Sequence, residues 1–197
     1  MERIGQMLAE YDVFAAFWLT IQLTLLGAVG ALVIGAVVAV MRVSPIGILQ
    51  KAAAFYTNVV LFTPLTLIVF FFAFGVYLTM GVDLVPGART SVQTYWWGVI
   101  AVAIYHSSLV AESLRSGINT VPQGQAEAAR AIGLDFGQSL REVLLPQAFR
   151  GAVAPLGNTM IALAKNTTVL ATIGVAEASY LMTVSYTHLT LPTSDLV

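Results

Sequence analysis

The chain has 197 residues, 58% of them hydrophobic and only 10% charged, with a mean hydropathy of +0.84. A soluble domain carries about 25% charged residues, so the solvent that suits this composition is the bilayer. A formal net charge of −1 leaves no basic excess for nucleic acid, and the absence of cysteine excludes disulfide frameworks, thiol nucleophiles and cysteine metal sites.

Residues 1–12 carry Glu2, Glu10 and Asp12 against the single base Arg3. The apolar run that follows is too long for the core of a signal peptide, so the first membrane segment is expected to stay in the mature protein. Uncharged stretches cover 13–41, 52–82 and 90–111. Each exceeds the roughly 20 residues that cross about 30 Å of hydrocarbon. A fourth stretch, 151–176, is long enough but holds Lys165. Backbone groups in lipid must bond within their own segment, so these are helices, predicted over about 13–41, 54–81, 91–114 and 151–176. They lack the short alternating segments of a β-barrel.

Within the first helix Gly27, Ala31, Gly35 and Ala39 line one face with small residues. Such a face admits another helix closely, either inside this subunit or across a dimer seam. In the second helix Pro64 kinks the chain and frees a carbonyl, while Thr63 and Thr66 satisfy local backbone.

Arg42, Lys51, Arg115, Arg130, Arg141 and Arg150 fall on one side of the predicted helices, against Arg3 and Arg89 on the other. The positive-inside rule then places the N-terminus outside and 115–150 in the cytoplasm. That cytoplasmic segment is polar and patterned. Pro122 suits a first helical turn, and Gly133 suits a helix end. Asp135 caps a second helix with Gln138 as its partner three residues on. Phe136, Leu140, Val143 and Leu144 give that helix one apolar face, and Pro146 closes or kinks it. The product is a helix-turn-helix at the membrane surface. Ala126, Ala128, Ala129 and Ala131 leave its first helix slim, with Glu127 and Arg130 as its only charges. It either covers the ends of the bundle or docks in a groove of another protein.

The run Glu127-Ala128-Ala129, then Gly133, then Val143-Leu144-Leu145-Pro146 resembles the EAA signature of bacterial ABC importer permeases. That signature reads EAA, three residues, Gly, and later aliphatic-x-Leu-Pro. The flanking text VAESLRSGINTVPQGQAEAARAIGL and PLGNTMIALAKNTTVLATIGVAE is similar to the polar amino acid branch, nearest to the glutamate-type permease subunits of Gram-positive bacteria. The likeness covers roughly 17–182. It implies an all-α integral membrane fold, a five-helix type I ABC importer permease core. The 126–133 helix would be a coupling helix in a cleft of the ATP-binding subunit, with Glu127, Ala128, Ala129, Arg130, Gly133, Leu145 and Pro146 as coupling residues. The implied partners are an ATP-binding subunit dimer, a second permease subunit (homologous or identical), an extracellular solute-binding protein and membrane lipid. The implied location is the bacterial plasma membrane. No G-x-x-x-x-G-K occurs here, so ATP and magnesium belong to a separate partner, and no cofactor, metal or catalytic residue is expected in this chain.

Lys165 lies mid-helix, a position costly in lipid unless it faces water or a partner. With Asn166, Thr167 and Thr168 it forms a candidate contact for the carboxylate of a transported amino acid. Alternatively it snorkels to an interface. The family commonly has an arginine two residues before the Thr-Pro pair; this sequence has Leu61 there. His106 reads as packed or hydrogen-bonded, and Glu112 as paired with Arg115.

From about Val184 the likeness stops, and VSYTHLTLPTS resembles a translated sequencing adapter. Residues 183–197 are expected to be non-native, with the family's last helix missing or replaced, so His188, Pro192 and Asp195 carry no functional argument. The competing class is a secondary transporter or channel for a small polar solute, which inverted repeats would favour and which this chain lacks. An intramembrane enzyme would need H-E-x-x-H, G-x-S-x-G or paired carboxylates; none is present.

Overall fold

A computed structural model describes residues 13–190, with side chains through Val184. The expected extracytoplasmic N-terminus, 1–12, and the last part of the suspected non-native tail, 191–197, lie outside the described residues. Every regular element among the described residues is helical, as the unbroken apolar runs require.

Helix α1, Val13–Val43, has 31 residues, about 46 Å at 1.5 Å per residue. Ser44-Pro45-Ile46 then turns the chain, with the Ser44 hydroxyl accepting from the Ile46 amide at 3.2 Å. Helix α2, Gly47–Phe62, begins earlier than the predicted 54, with Lys51 on an exposed face. It ends at Thr63, whose extended backbone (φ −95°, ψ 123°) is what a residue before proline adopts. Helix α3, Leu65–Phe70, follows Pro64 and widens into a π turn over Phe71–Thr79. The single helix expected over 54–81 is therefore two, because Pro64 interrupts the ladder.

Helix α4, Thr90–Asn119, outruns its predicted end at 114. Helix α5, Gln123–Ala131, follows the turn at Pro122. Helix α6, Phe136–Gln138, passes through a second π turn, Ser139–Leu144, into α7, Leu145–Asn166. Pro146 therefore does not close this helix. It occupies the first turn after the widened stretch, where a missing N–H is tolerated. The Gln147 side-chain amide donates to the nearby Val143 carbonyl at 3.0 Å. A 3₁₀ turn, Thr167–Ile173, ends at Gly174 (φ 82°), and α8 runs Ala178–Thr190. Residues 183–190 of the suspected tail continue α8.

Among the described residues two unbroken helices, α1 and α4, are long and apolar enough to cross a membrane. Two interrupted pairs, α2 with the helix from Leu65 to Thr79 and the helix from Phe136 to Ile173 with α8, make four if each is one span. The fifth span implied by the resemblance is not among them.

The chain forms two compact units. The first joins 13–27, Leu65–Val102 and 164–190. In it Trp97 stacks on Phe72 with ring centroids 5.5 Å apart and donates to the Val82 carbonyl at 3.3 Å. Buried Gln93 receives the Leu84 amide at 3.0 Å and donates to the Val85 carbonyl at 2.7 Å, fixing the turn before α4. Buried Glu177 accepts from the Thr20 hydroxyl at 3.3 Å, the Tyr180 amide at 3.1 Å and the Ser179 hydroxyl. A buried carboxylate requires such donors, and here two come from the start of α8 and one from α1.

The second unit joins Ala28–Pro64 and Ala103–Leu163. Its core sets Val38 and Ala39 against Ala53 and Ala111, covered by Met41, Tyr56 and Leu114. Gly35 lets α1 approach α4 closely: a Cβ there would lie 2.6 Å from Val110 and 2.7 Å from the Ser107 carbonyl oxygen. The Tyr56 hydroxyl shares a 2.6 Å hydrogen bond with Ser107, and Ser113 shares one of 3.1 Å with Thr159.

A surface helix-turn-helix as candidate functional site

Helix α5 stands out by being exposed and rich in alanine. Only Ala129 is buried, and α5 packs against the Ser139–Leu144 turn. Glu127, Ala128 and Arg130 are exposed. The Arg130 guanidinium donates to the Ala126 carbonyl at 3.3 Å, so its reach is folded back along its own helix. The Glu127 carboxylate makes no ion pair among the described residues.

The helix ends where Gly133 takes a left-handed backbone, φ 85°. Gly133 donates to Arg130 at 3.0 Å and Leu134 to Ala129 at 3.1 Å. This pair of bonds is a Schellman closure, which a residue with a Cβ enters only under strain. Asp135 then opens α6 with a reciprocal cap: its carboxylate accepts from the Gln138 amide at 2.8 Å while Gln138 Oε1 accepts from the Asp135 amide at 3.1 Å. Ile132 sits 77% exposed at the tip between the helices. Leu145 and Pro146 are exposed beyond the second π turn. The structure thus presents a capped knob whose exposed side chains on α5 and its tip are one acid, one base, two glutamines, small residues and the aliphatic Ile132.

The candidate substrate residues lie at the junction of α7 with the 3₁₀ turn. Lys165 is exposed, and its ammonium has no acceptor among the described residues. Thr167 is buried and donates to Ala164 at 2.9 Å; Thr168 donates to the Lys165 carbonyl at 2.9 Å. Both hydroxyl protons serve the tightening backbone rather than a ligand. Asn166 is half-buried. Gly27, Ala31, Gly35 and Ala39 are all buried along one face of α1.

Three features had no signal in the sequence. Arg42 reaches Glu112 at 2.6 Å across 70 positions of chain, in addition to the Arg115–Glu112 pair at 2.8 Å. The Ser139 hydroxyl, at the start of the second π turn, is buried with no hydrogen-bond partner among the described residues. In the first unit an open apolar groove of about 750 Å³ is lined by Trp18, Gln22, Leu25, Tyr95 and Trp96 among others.

Apolar helices of spanning length, a capped surface knob and the EAA spacing within it define a membrane transport permease. Residues 11–191 match the family described as the binding-protein-dependent transport system inner membrane component, and the chain belongs to it. It is 51% identical over 171 residues to the glutamate transport system permease protein GluC of Corynebacterium glutamicum, covering 85% of this chain and 75% of that one. The corresponding protein of Corynebacterium efficiens is 50% identical over the same shares. A crystal structure of an amino acid ABC transporter with histidines superposes with a TM-score of 0.75 at 29% identity, over 91% of this chain and 82% of that one. The family read from the EAA run and the all-helical ABC importer permease fold are both confirmed. A member of this family is a membrane component that works with an ATP-binding subunit and a solute-binding protein.

Proposed function

We propose that this chain is the membrane-spanning permease of an ATP-driven importer of a polar amino acid, with glutamate as its substrate. The two relatives about half identical to it are named for glutamate transport, and that identity supports the same cargo here. The observation that carries the mechanism is the knob itself: an exposed α5 whose Glu127 makes no ion pair among the described residues, ended by the left-handed Gly133. In this reading Glu127, Ala128, Ala129 and Arg130 enter a cleft of the ATP-binding subunit. Slim alanines admit close approach, and Gly133 turns the chain out again. Leu145 and Pro146 flank the seat. ATP and magnesium stay with the partner pair, whose closure displaces the knob and with it the helices joined to it. A second permease subunit completes the path, because a pair of ATPases offers two clefts. Segment 115–150 lies in the cytoplasm and the N-terminus outside, as the basic residues dictate. Lys165, exposed and without an acceptor among the described residues, supplies the charge for the substrate carboxylate, with Asn166, Thr167 and Thr168 shaping that stretch.

Co-purification in detergent tests this. Wild type is expected to retain its ATP-binding subunit, and the double variant Glu127→Arg with Gly133→Leu to lose it while staying in the membrane. Equal retention by both would reduce α5 and α6 to a cover over the helix ends.

A further inference from the structure

The Arg42–Glu112–Arg115 cluster is more elaborate than a surface ion pair. Arg115 lies one turn beyond Glu112 on α4 and accounts for Oε2. Arg42 comes from the last turn of α1 and takes Oε1 at 2.6 Å, with its side chain only 18% exposed. Both carboxylate oxygens are thus used, and by cations on different helices. A half-buried pair of this kind fixes register better than an exposed one, because neither partner can exchange freely for water.

Its position gives it a task. Just past Glu112, Gly117 brings α4 against α7: a Cβ on Gly117 would fall on the Ala148 carbonyl oxygen and 2.7 Å from the Ala152 Cβ. A Cβ on Gly151 would likewise fall on the Thr120 hydroxyl. The chain leaving for the knob and the chain returning from it are therefore in backbone contact, so the knob and the adjoining ends of α4 and α7 move as one body. Higher up, α1 meets α4 through Gly35 and Ala39, small smooth residues that pack but set no register along the helix axis. The Arg42–Glu112 bond is directional and does set it.

We infer that Glu112 is a positioning residue for transport: through Arg42 it passes displacement of the coupling knob to α1. The inference rests on the coupling reading above. Neutralising Glu112 would leave two guanidiniums facing each other without their shared anion, and α1 free to slip against α4.

The test is ATP hydrolysis and uptake by the complex reconstituted with its ATP-binding subunit, second permease and solute-binding protein. Glu112→Gln and Arg42→Gln are expected to keep complex assembly and basal hydrolysis. Each should lower substrate-stimulated hydrolysis and uptake by about tenfold, within the 5–150-fold span of ordinary couplings. Arg115→Gln should leave both at wild-type level, since the link between helices remains. Unchanged stimulation in Glu112→Gln overturns the inference, as does a loss that merely tracks lost assembly or that Arg115→Gln reproduces. A wild-type complex that fails to hold the ATP-binding subunit would instead sink the coupling reading itself.

Discussion

Gly117, Gly124 and Gly133 lie within seventeen positions of one another, yet each would respond differently to a methyl group. At Gly117 the new Cβ meets the Ala148 carbonyl and the Ala152 Cβ, atoms of a facing helix that cannot rotate away. Gly117→Val should cost about 1–3 kcal/mol, as overpacking does. At Gly133 there is open space, but φ is 85°, so Gly133→Ala costs about 1 kcal/mol through backbone strain alone. Gly124, in the first turn of α5, has nothing within 4 Å, and Gly124→Ala should gain up to about 1 kcal/mol of helix propensity. Melting temperatures in detergent should therefore rank Gly124→Ala at or above wild type, then Gly133→Ala, then Gly117→Val. A Gly117→Val protein as stable as wild type would mean that α4 and α7 are not in backbone contact. Lys165 calls for a different readout. If its ammonium meets the substrate carboxylate, a hydrogen bond to a charged group is lost in Lys165→Ala, about 1.5–3 kcal/mol. That corresponds to at least about tenfold slower uptake at low substrate concentration, with Lys165→Arg largely restoring it. Uptake unchanged in Lys165→Ala would assign the residue to an interface.

Among the elements, the start of α8 is the most instructive. Gly174 closes the preceding 3₁₀ turn, with Val175 donating to the Leu170 carbonyl at 3.2 Å. Three residues later buried Glu177 caps α8 and holds Thr20 of α1. Glu177→Ala removes the acceptor of three part-buried donors at once, and each donor left unpaired costs up to about 1–3 kcal/mol. Faster hydrogen exchange at the amides of 178–181, together with a lower melting temperature, is the expected result. Unaltered exchange would show that another group caps α8.

Local devices like these were partly legible in the sequence. The Asp135–Gln138 cap and the turn at Gly133 were read correctly because each depends on residues at most five apart. The break at Pro64 follows from one ring and its effect on the residue before it. The π turns at Phe71–Thr79 and Ser139–Leu144 were not legible, since their sequences carry ordinary α-helical spacing with nothing local to mark the widening. That is also why the sequence leaves Pro146 as either closing or kinking the helix, and only the closing alternative is overturned. The Arg42–Glu112 bond was invisible for another reason: no periodicity links residues 70 positions apart, and Arg115 offered Glu112 a sufficient partner nearby.

For the whole molecule the outstanding question is which side of the membrane each loop occupies, and the composition makes it directly answerable. The chain has no cysteine, so a single introduced thiol reports on one position without background. Asp83, in the exposed turn before α4, and Glu142, exposed in the second π turn, lie at opposite ends of the reading drawn from the basic residues. In the topology proposed from six lysines and arginines on the 115–150 side against two on the other, Glu142 is inside and Asp83 outside. A membrane-impermeant maleimide should therefore label Asp83→Cys in intact cells and Glu142→Cys only after permeabilisation. Glu127→Cys carries the same logic one step further. In inside-out vesicles it should label freely when the permease is expressed alone and be protected when the ATP-binding subunit is present, because the knob is then seated. Labelling of Glu142→Cys in intact cells would invert the topology and put α5 where no ATPase can reach it. Cytoplasmic labelling of Glu127→Cys that is unaffected by the partner would keep the topology and move the ATPase contact elsewhere on the chain.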